Sequence, residues 1–367
     1  MGKRIIISVT NDLSSDQRVH RVAETLRVAG MEVLLIGRQK RNSRVLNPRS
    51  YATHRMSMWF EKGKFFYLEH SFRLFWLLLF RKCDLLLAND MDTLLANFMV
   101  AKIRRKKLIY DSHEYWTEVP ELLERRFTRS IWLRLERWLF PRVDAAYTVN
   151  DSLARIYREK YGLAVGTVRN LPLAGEQPVP RKGARRTLIY QGALNLGRGI
   201  GLMIAAMAEL QGYTLWVVGS GDLDEPLYHL AQQSGLGEQV IFKGFVPFEE
   251  LKVITAQADL GLSLEEDRGA SYHYALPNKL FDYLQAGLPV LVADLPEMRN
   301  VVEKYVVGEI LPGAARNAKD LALKIRNICE DEAYWEKLHQ ASIQAGAELC
   351  WENEQKRLLE IFEPFLL

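Results

Sequence analysis

The run Pro277-Asn278-Lys279, with Asp282 one turn further on, sets a proline, a cation and a carboxylate at the start of a helix that continues through Leu280, Phe281 and Leu284. Proline suits the first helical position, where its missing N–H costs nothing. Asn278 and Lys279 then fall in the first turn, where free backbone N–H groups and the positive end of the dipole attract phosphate. Asp282 is placed to accept hydrogen bonds from sugar hydroxyls. Gly287 ends the helix before Pro289 and the apolar run Val290-Leu291-Val292. This is chemistry for a nucleotide diphosphate with a ribose attached. The plain alternative is an ordinary helix–strand connection with an exposed Lys and Asp.

Two glycine-rich turns stand upstream. Gly192-Ala193-Leu194-Asn195-Leu196-Gly197-Arg198-Gly199 follows an apolar strand and opens a helix. Glycines there let the backbone approach a ligand, and Arg198 can fork onto phosphate oxygens. The second turn, Gly219-Ser220-Gly221-Asp222, closes the next strand. One such turn is a weak signal, but three phosphate-type loops in one domain point jointly to a diphosphate. In the first half, Tyr110-Asp111-Ser112-His113-Glu114 follows a strand, so its polar side chains should emerge at a cleft. His113 could orient a hydroxyl or a sugar, and Asp111 and Glu114 could hold the loop or act as a base. A loop-capping His with solvated acids is the bland alternative. Asp16 should cap the helix after the first strand, with Arg18 one turn in, near the cleft.

These residues need a scaffold, and the pattern supplies one. Ile5–Val9, Val33–Ile36, Asp84–Ala88, Lys107–Tyr110 and Ala145–Val149 read as buried strands separated by helical segments, the first of them over Asp16–Val28. The alternation breaks in LPLAGEQPVPRKGARR, residues 171–186, which reads as a linker. It restarts at Thr187, with strands over Thr214–Val218, Gln239–Phe242 and Leu260–Leu264, and ends in helices Pro296–Tyr305, Lys319–Glu330, Glu332–Leu349 and Trp351–Phe365. The expected fold class is α/β, with two doubly wound, Rossmann-like domains facing a cleft. Their bounds are 1–170 and 187–350.

The 367 residues, 48% of them apolar and 26% charged, fit a globular protein with two cores. Cys83, Cys329 and Cys350 have no metal-type spacing, which suggests a reducing, cytoplasmic setting and structural thiols. The start of the sequence, MGKRIIISV, reads as a first strand rather than a signal peptide. The longest apolar tract, Phe72 to Phe80, is interrupted by Arg73 and too short to span a bilayer.

The net charge of +4 hides an asymmetry: residues 1–175 carry 31 Lys and Arg against 18 Asp and Glu. Such a basic half suits a polyanion. An anionic membrane surface is the expected partner, met through Lys102–Lys107 and through Arg125–Arg142, where Trp132, Leu135, Trp138 and Leu139 share a helical face. A core-facing aromatic stripe with a solvated basic back is the alternative. No nucleic-acid motif is present, so nucleic acid is not an expected partner.

In order and motif the chain resembles the family 4 glycosyltransferases of the GT-B fold over essentially its whole length. The likeness rests on DQRVHRVAETLRVAGMEV, YDSHE, GALNLGRGIG, VGSGD, FKGFVPFEEL and PNKLFDYLQAGLPV. It implies retaining transfer of a sugar from a nucleotide diphosphate, with no metal or other cofactor required. It places the donor in the second domain, the acceptor mainly in the first, and the final helix (351–367) back on the first domain. His113 matches the family's histidine near the transferred sugar, and Arg198 the place of its diphosphate-binding lysine. Ala193 stands where the family often has an arginine. Asp282 matches the second of two acids eight positions apart, but the first place is Tyr274, and Glu265 or Glu266 could supply that carboxylate across an insertion, Asp267–His273. Gly192, Gly199, Gly219, Gly221 and Asn278 would cradle the donor, and the backbone at Gly244–Val246 its base. The implied catalytic set is His113, Arg198 and Lys279, with Asp16, Arg18, Asp111 and Glu114 on the acceptor side. The acceptor would be a glycan or lipid-linked glycan in cell-surface polysaccharide or glycolipid assembly, met by a cytoplasmic enzyme at the inner face of the membrane. A nucleotide-sugar epimerase and a degenerate, non-catalytic binding protein are the competing readings.

Overall fold

The computed structural model describes residues 2–14, 16–175, 183 and 185–366. It divides into two compact units, residues 1–170 with 353–367, and residues 171–352. Residues 176–182 and 184 of the expected linker lie outside the described residues.

The first unit is built on seven parallel strands: β1 (Arg4–Asp12), β2 (Glu32–Gln39), β3 (Ala52–Ser57), β4 (Leu85–Asn89), β5 (Lys107–Ser112), β6 (Ala145–Thr148) and β7 (Val165–Thr167), in the order β3-β2-β1-β4-β5-β6-β7. β1 and β4 are the central pair, and Ile5, Ile6, Ile7, Leu86 and Leu87 are almost wholly buried. Sequence patterning does not mark the edge strands β3 and β7. In β3, ATHRMS, only Met56 is buried, so no apolar run announces it. Asp16 caps the helix Gln17–Val28 as expected, accepting the Val19 N–H at 3.0 Å.

The helix Arg126–Leu139 corrects the expected membrane face. Trp132 packs edge-on against Trp116 and Tyr67, Leu135 lies against the unit's core, and Leu139 is fully buried. Of the four residues of that face, Trp132 and Leu135 are half-buried and Trp138 is 46% exposed, resting on Phe98. The stripe is the unit's own packing surface, because its period is equally that of a core-facing helix. Lys106 and Lys107, from the expected basic cluster, pair with Asp84 and Asp144. The helix Trp351–Leu366 completes this unit from Asn353 onward, burying Phe362 against Tyr147 and setting Ile361 over Gly166.

The second unit has six parallel strands: β8 (Thr187–Gln191), β9 (Thr214–Val218), β10 (Val240–Gly244), β11 (Leu260–Ser263), β12 (Val290–Ala293) and β13 (Gly308–Leu311), in the order β10-β9-β8-β11-β12-β13. In each sheet the order in which strands are added thus reverses between the first and fourth strands, all of them remaining parallel. A sheet of this kind opens a crevice at the carboxyl ends of that strand pair. In the first unit the crevice lies beyond β1 and β4, in the second beyond β8 and β11. The helix Asn278–Gln285 begins one residue later than expected: Pro277 is the residue before its first turn, in extended conformation, and Asn278 comes first. Leu280, Phe281 and Leu284 are buried, and Gly287, at φ +67°, turns the chain into β12. Among the described residues no helix is long and apolar enough to cross a membrane.

Candidate functional site

In the second unit three turns nest at the ends of β8, β9 and β11, and glycine is what lets them. Gly219 has φ +136°, and a Cβ there would stand 1.9 Å from the Gly192 carbonyl oxygen. Gly199, at φ +72°, would put a Cβ 2.0 Å from the Leu264 carbonyl oxygen. Gly192, at φ +134°, faces Lys279, whose Cε would lie 3.4 Å from an added Cβ. Gly221 donates its N–H to Asp224 at 2.6 Å, opening the helix that follows.

Around this nest sits a compact charge cluster. Glu265, fully buried just past β11, accepts from Lys279 Nζ at 2.9 Å and from Ser263 Oγ at 2.8 Å. The Lys279 ammonium also lies 3.9 Å from the centre of the Tyr190 ring. Burial pushes the Glu265 carboxyl up, but Lys279 outweighs it and holds the group below the usual range. Burial lowers Lys279, and Glu265 offsets only part of that. Arg198 adds a second positive charge felt by both partners. Its guanidinium lies 5.1 Å from the Tyr272 ring, and its Nε is buried without a hydrogen-bond partner. A third cation, Arg316, donates to the carbonyls of Leu264 and Glu265. Three cations against one buried carboxylate leave local positive charge, which suits a dianionic ligand.

The two acids offered for the missing carboxylate separate clearly. Glu265 joins the cations, whereas Glu266 pairs with Arg268 and donates its backbone N–H to the Gly197 carbonyl. The insertion folds into the short helix Ala270–His273, followed by Tyr274. Asp282 accepts from Gln191 Nε2 at 2.8 Å, and Gln191 Oε1 accepts from Thr255 at 2.7 Å. Asn278 is exposed at the helix start, and Val246 is half-buried two residues past Gly244, which has φ +64°.

In the first unit, a cavity of about 490 Å³ opens beyond β1 and β4, with Thr10, Asp90, Asp92, His113, Glu114 and Trp116 among its lining. His113 Nδ1 lies 3.1 Å from Asp90, its Nε2 lies 3.1 Å from Asp111 and 3.2 Å from Asn89, and its backbone N–H donates to Asp90 at 2.9 Å. Burial opposes charge on the ring, but the two carboxylates prevail and hold it well above the ordinary imidazole range. Both ring nitrogens are thus engaged by carboxylates, an arrangement that favours the protonated ring. Arg18 and Asp111, expected on the acceptor side, form a buried bidentate pair beneath it, at 2.8 and 3.0 Å. Burial raises Asp111, but Arg18 and His113 bring it down to about 2. These two residues hold His113 in place and do not face solvent. Asp16 is occupied in capping and with Asn11, 2.8 Å away. Glu114 is exposed at the cavity.

Asp92 behaves differently. Its side chain, 5% exposed, accepts from Thr10 Oγ1 at 2.6 Å through Oδ2, while Oδ1 is buried without a partner. Burial first, then the Asp90 charge, pushes its carboxyl up to about 7, against the opposing pull of Thr10 and His113. Among the described residues no three or more His, Cys, Asp or Glu side chains are grouped to hold a metal ion.

Two family models cover most of the sequence: the glycosyltransferase family 4 model over residues 16–172, and that for glycosyl transferases group 1 over residues 176–348. The chain belongs to the family 4 glycosyltransferases. Its curated relatives are distant. An uncharacterised glycosyltransferase of Methanocaldococcus jannaschii is 24% identical over 48% of this chain and 45% of its own. The chitobiosyldiphosphodolichol beta-mannosyltransferase of Candida albicans is 25% identical over 41% of this chain and 32% of its own. The matches thus span less than half the length of these two relatives. Among solved structures, the sucrose-phosphate synthase of Thermosynechococcus elongatus superposes with a TM-score of 0.81 at 16% identity, over 99% of both chains, and shares the GT-B fold.

Within this family 4 chain, sequence reasoning missed Asp90, Asp92, Gln191 and Arg316. The run Asn89-Asp90-Met91-Asp92 ends a strand just as Tyr110–Glu114 does, and that signal was available. Asp90 has φ +59°, a conformation no local pattern announces. Gln191 and Arg316 carry no sequence signal, because their partners lie 91 and 51 residues away.

Proposed function

We propose that this protein transfers a sugar from a nucleotide diphosphate to a hydroxyl of a glycan or lipid-linked glycan, with retention of anomeric configuration and without a required metal, in the assembly of cell-surface polysaccharide or glycolipid. The observation that carries the reading is the cation cluster of Arg198 and Lys279 around Glu265, at the ends of β8 and β11. As the bond from the sugar's anomeric carbon to the diphosphate breaks, charge grows on the leaving phosphate, and Arg198 and Lys279 stabilise it by about 2–4 kcal/mol each. The acceptor oxygen bonds to the same face of that carbon, and its proton passes to the departing phosphate oxygen. His113, held by Asp90 and Asp111 at the cavity of the first unit, would orient a hydroxyl or the sugar. A lipid-linked acceptor is supported by the Candida relative, whose name specifies a diphosphodolichol-linked sugar.

The test is incubation of the purified chain with radiolabelled uridine, guanosine and adenosine diphosphate sugars, with free and lipid-linked glycan acceptors, in the presence and absence of a chelator. Labelled product with the donor's anomeric configuration, insensitive to chelation, is expected. An isomerised donor would make the protein an epimerase, and binding without turnover a non-catalytic relative.

A further inference from the structure

We infer that the outer face of the helix Gly63–Phe80 is a docking surface for an anionic lipid bilayer. Its inner face carries Phe66, His70, Leu74 and Leu78, spaced four apart and buried in the first unit. The opposite face repeats the spacing with Leu68, Phe72, Trp76 and Phe80, joined by Phe65, and every one of them is exposed. Phe72 is 65% and Phe80 77% exposed, and Trp59, just before the helix, 79%. Trp76 stacks on Phe80 and meets Phe72 edge-on, so the side chains form one aromatic ridge. A helix apolar on both faces with one face in water is unfavourable for a monomer, and a contiguous apolar patch of this kind marks an interaction surface. At 18 residues the helix is not long and apolar enough to cross a bilayer, so it would lie in the plane of the interface.

The charge around the ridge selects the occupant. Trp59 to Lys82 contains Lys62, Lys64, Arg73, Arg81 and Lys82 against Glu61 and Glu69. Glu69 is occupied by Arg73 and by the backbone N–H groups of Trp59 and Phe60. Exposed cations therefore flank both ends of an aromatic ridge, the arrangement that anionic headgroups and an acyl boundary satisfy together. The same helix serves the cavity: Gly63, Phe66 and Tyr67 line it from one side while Phe65 and Leu68 face out. A docked helix would bring that cavity to the lipid surface. The docking does not depend on the transferase reading; only the benefit to a lipid-linked acceptor does.

The full-length chain is to be sedimented with vesicles of equal parts phosphatidylglycerol and phosphatidylcholine, and with phosphatidylcholine alone, at low and high salt. Binding to the anionic vesicles, partly retained at high salt, is expected. The double variant Phe72→Ser/Trp76→Ser should weaken that binding at least about tenfold, since each apolar group withdrawn from the interface contributes separately. Trp138→Ala should leave it unchanged. Both variants should keep their thermal unfolding and their stabilisation by nucleoside diphosphate, which separates loss of docking from loss of fold or of the donor site. Undiminished binding of the double variant, or no binding by the parent chain, overturns the proposal. Conversion of a dimer to a monomer by the same substitutions, read by sedimentation velocity, would assign the ridge to a second copy instead.

Discussion

Replacing Asp92 with asparagine isolates the cost of a buried carboxylate in the cavity of the first unit. Asparagine keeps the shape and can still accept from Thr10, but it cannot ionise. The Asp92 carboxyl moves from 3.8 to about 7 on folding. At about 1.36 kcal/mol per unit, that gap is worth about 4 kcal/mol when fully expressed. The sign is opposite to that of a salt-bridged acid. Here the folded state prefers the protonated form, so stability falls as pH rises from the unfolded value, 3.8, through the folded value, about 7. Between about pH 5 and about pH 8, the parent chain should lose about 2.5 kcal/mol relative to Asp92→Asn. The groups facing Asp92 are Asp90, His113 and Thr10. The pull of His113 on Asp92 is already part of the Asp92 shift, and the carboxylates that raise His113 itself, Asp90 and Asp111, are present in both proteins. The assay is urea unfolding followed by tryptophan fluorescence, since five of the eight tryptophans lie in residues 1–170. A difference between the two proteins that stays flat with pH, or moves the other way, would refute the placement of Asp92 as a buried acid without a second partner.

Lys279→Ala should unfold more readily by about 3–5 kcal/mol, because Glu265 is left buried and unpaired, and Glu265→Gln in the same chain should restore much of that stability. Arg198→Ala, whose guanidinium supports no such pair, should leave the unfolding midpoint nearly unchanged while weakening nucleoside diphosphate binding; equal loss of fold in both variants would argue against the assignment. His113→Ala should cut turnover while sparing nucleoside diphosphate affinity, and unchanged turnover with a good acceptor would return the residue to a loop-holding role. Asp282→Asn is expected to raise the donor KM more than it lowers kcat, because a ribose contact is made equally in ground and transition states; a pure kcat effect would place Asp282 nearer the reacting carbon.

The central strands were legible because their apolar runs are long and flanked by turns: Ile5–Ile7, Leu85–Leu87 and Val290–Val292 could be little else. The edge strands of the first sheet were not, since β3 and β7 pair on one side only and need few apolar residues. The glycine turns were legible too, and the nesting of Gly192, Gly199 and Gly219 is their physical reason. What escaped was pairing over distance. Lys279 was visible as a cation at a helix start, but not that Glu265, fourteen residues earlier, would neutralise part of it. Arg18 and Asp111 were each expected at the cleft on the acceptor side, and only the fold shows them paired across 93 residues. The roles of two aromatic helices were hidden too. Periodicity shows that Arg126–Leu139 and Gly63–Phe80 have apolar faces, but not which of those faces a neighbour covers.

The return of Asn353–Leu366 to the first unit has a consequence for synthesis. Residues 171–352 form a unit complete in itself and leave the ribosome first as a finished folding sequence. The first unit, although begun earlier, must wait with Tyr147 and Gly166 uncovered until Ile361 and Phe362 arrive. The unit that holds β1 to β7 is thus the one whose last packing element is made after the rest of it. Its unfinished apolar surface, rather than that of the second unit, is the one a chaperone would meet.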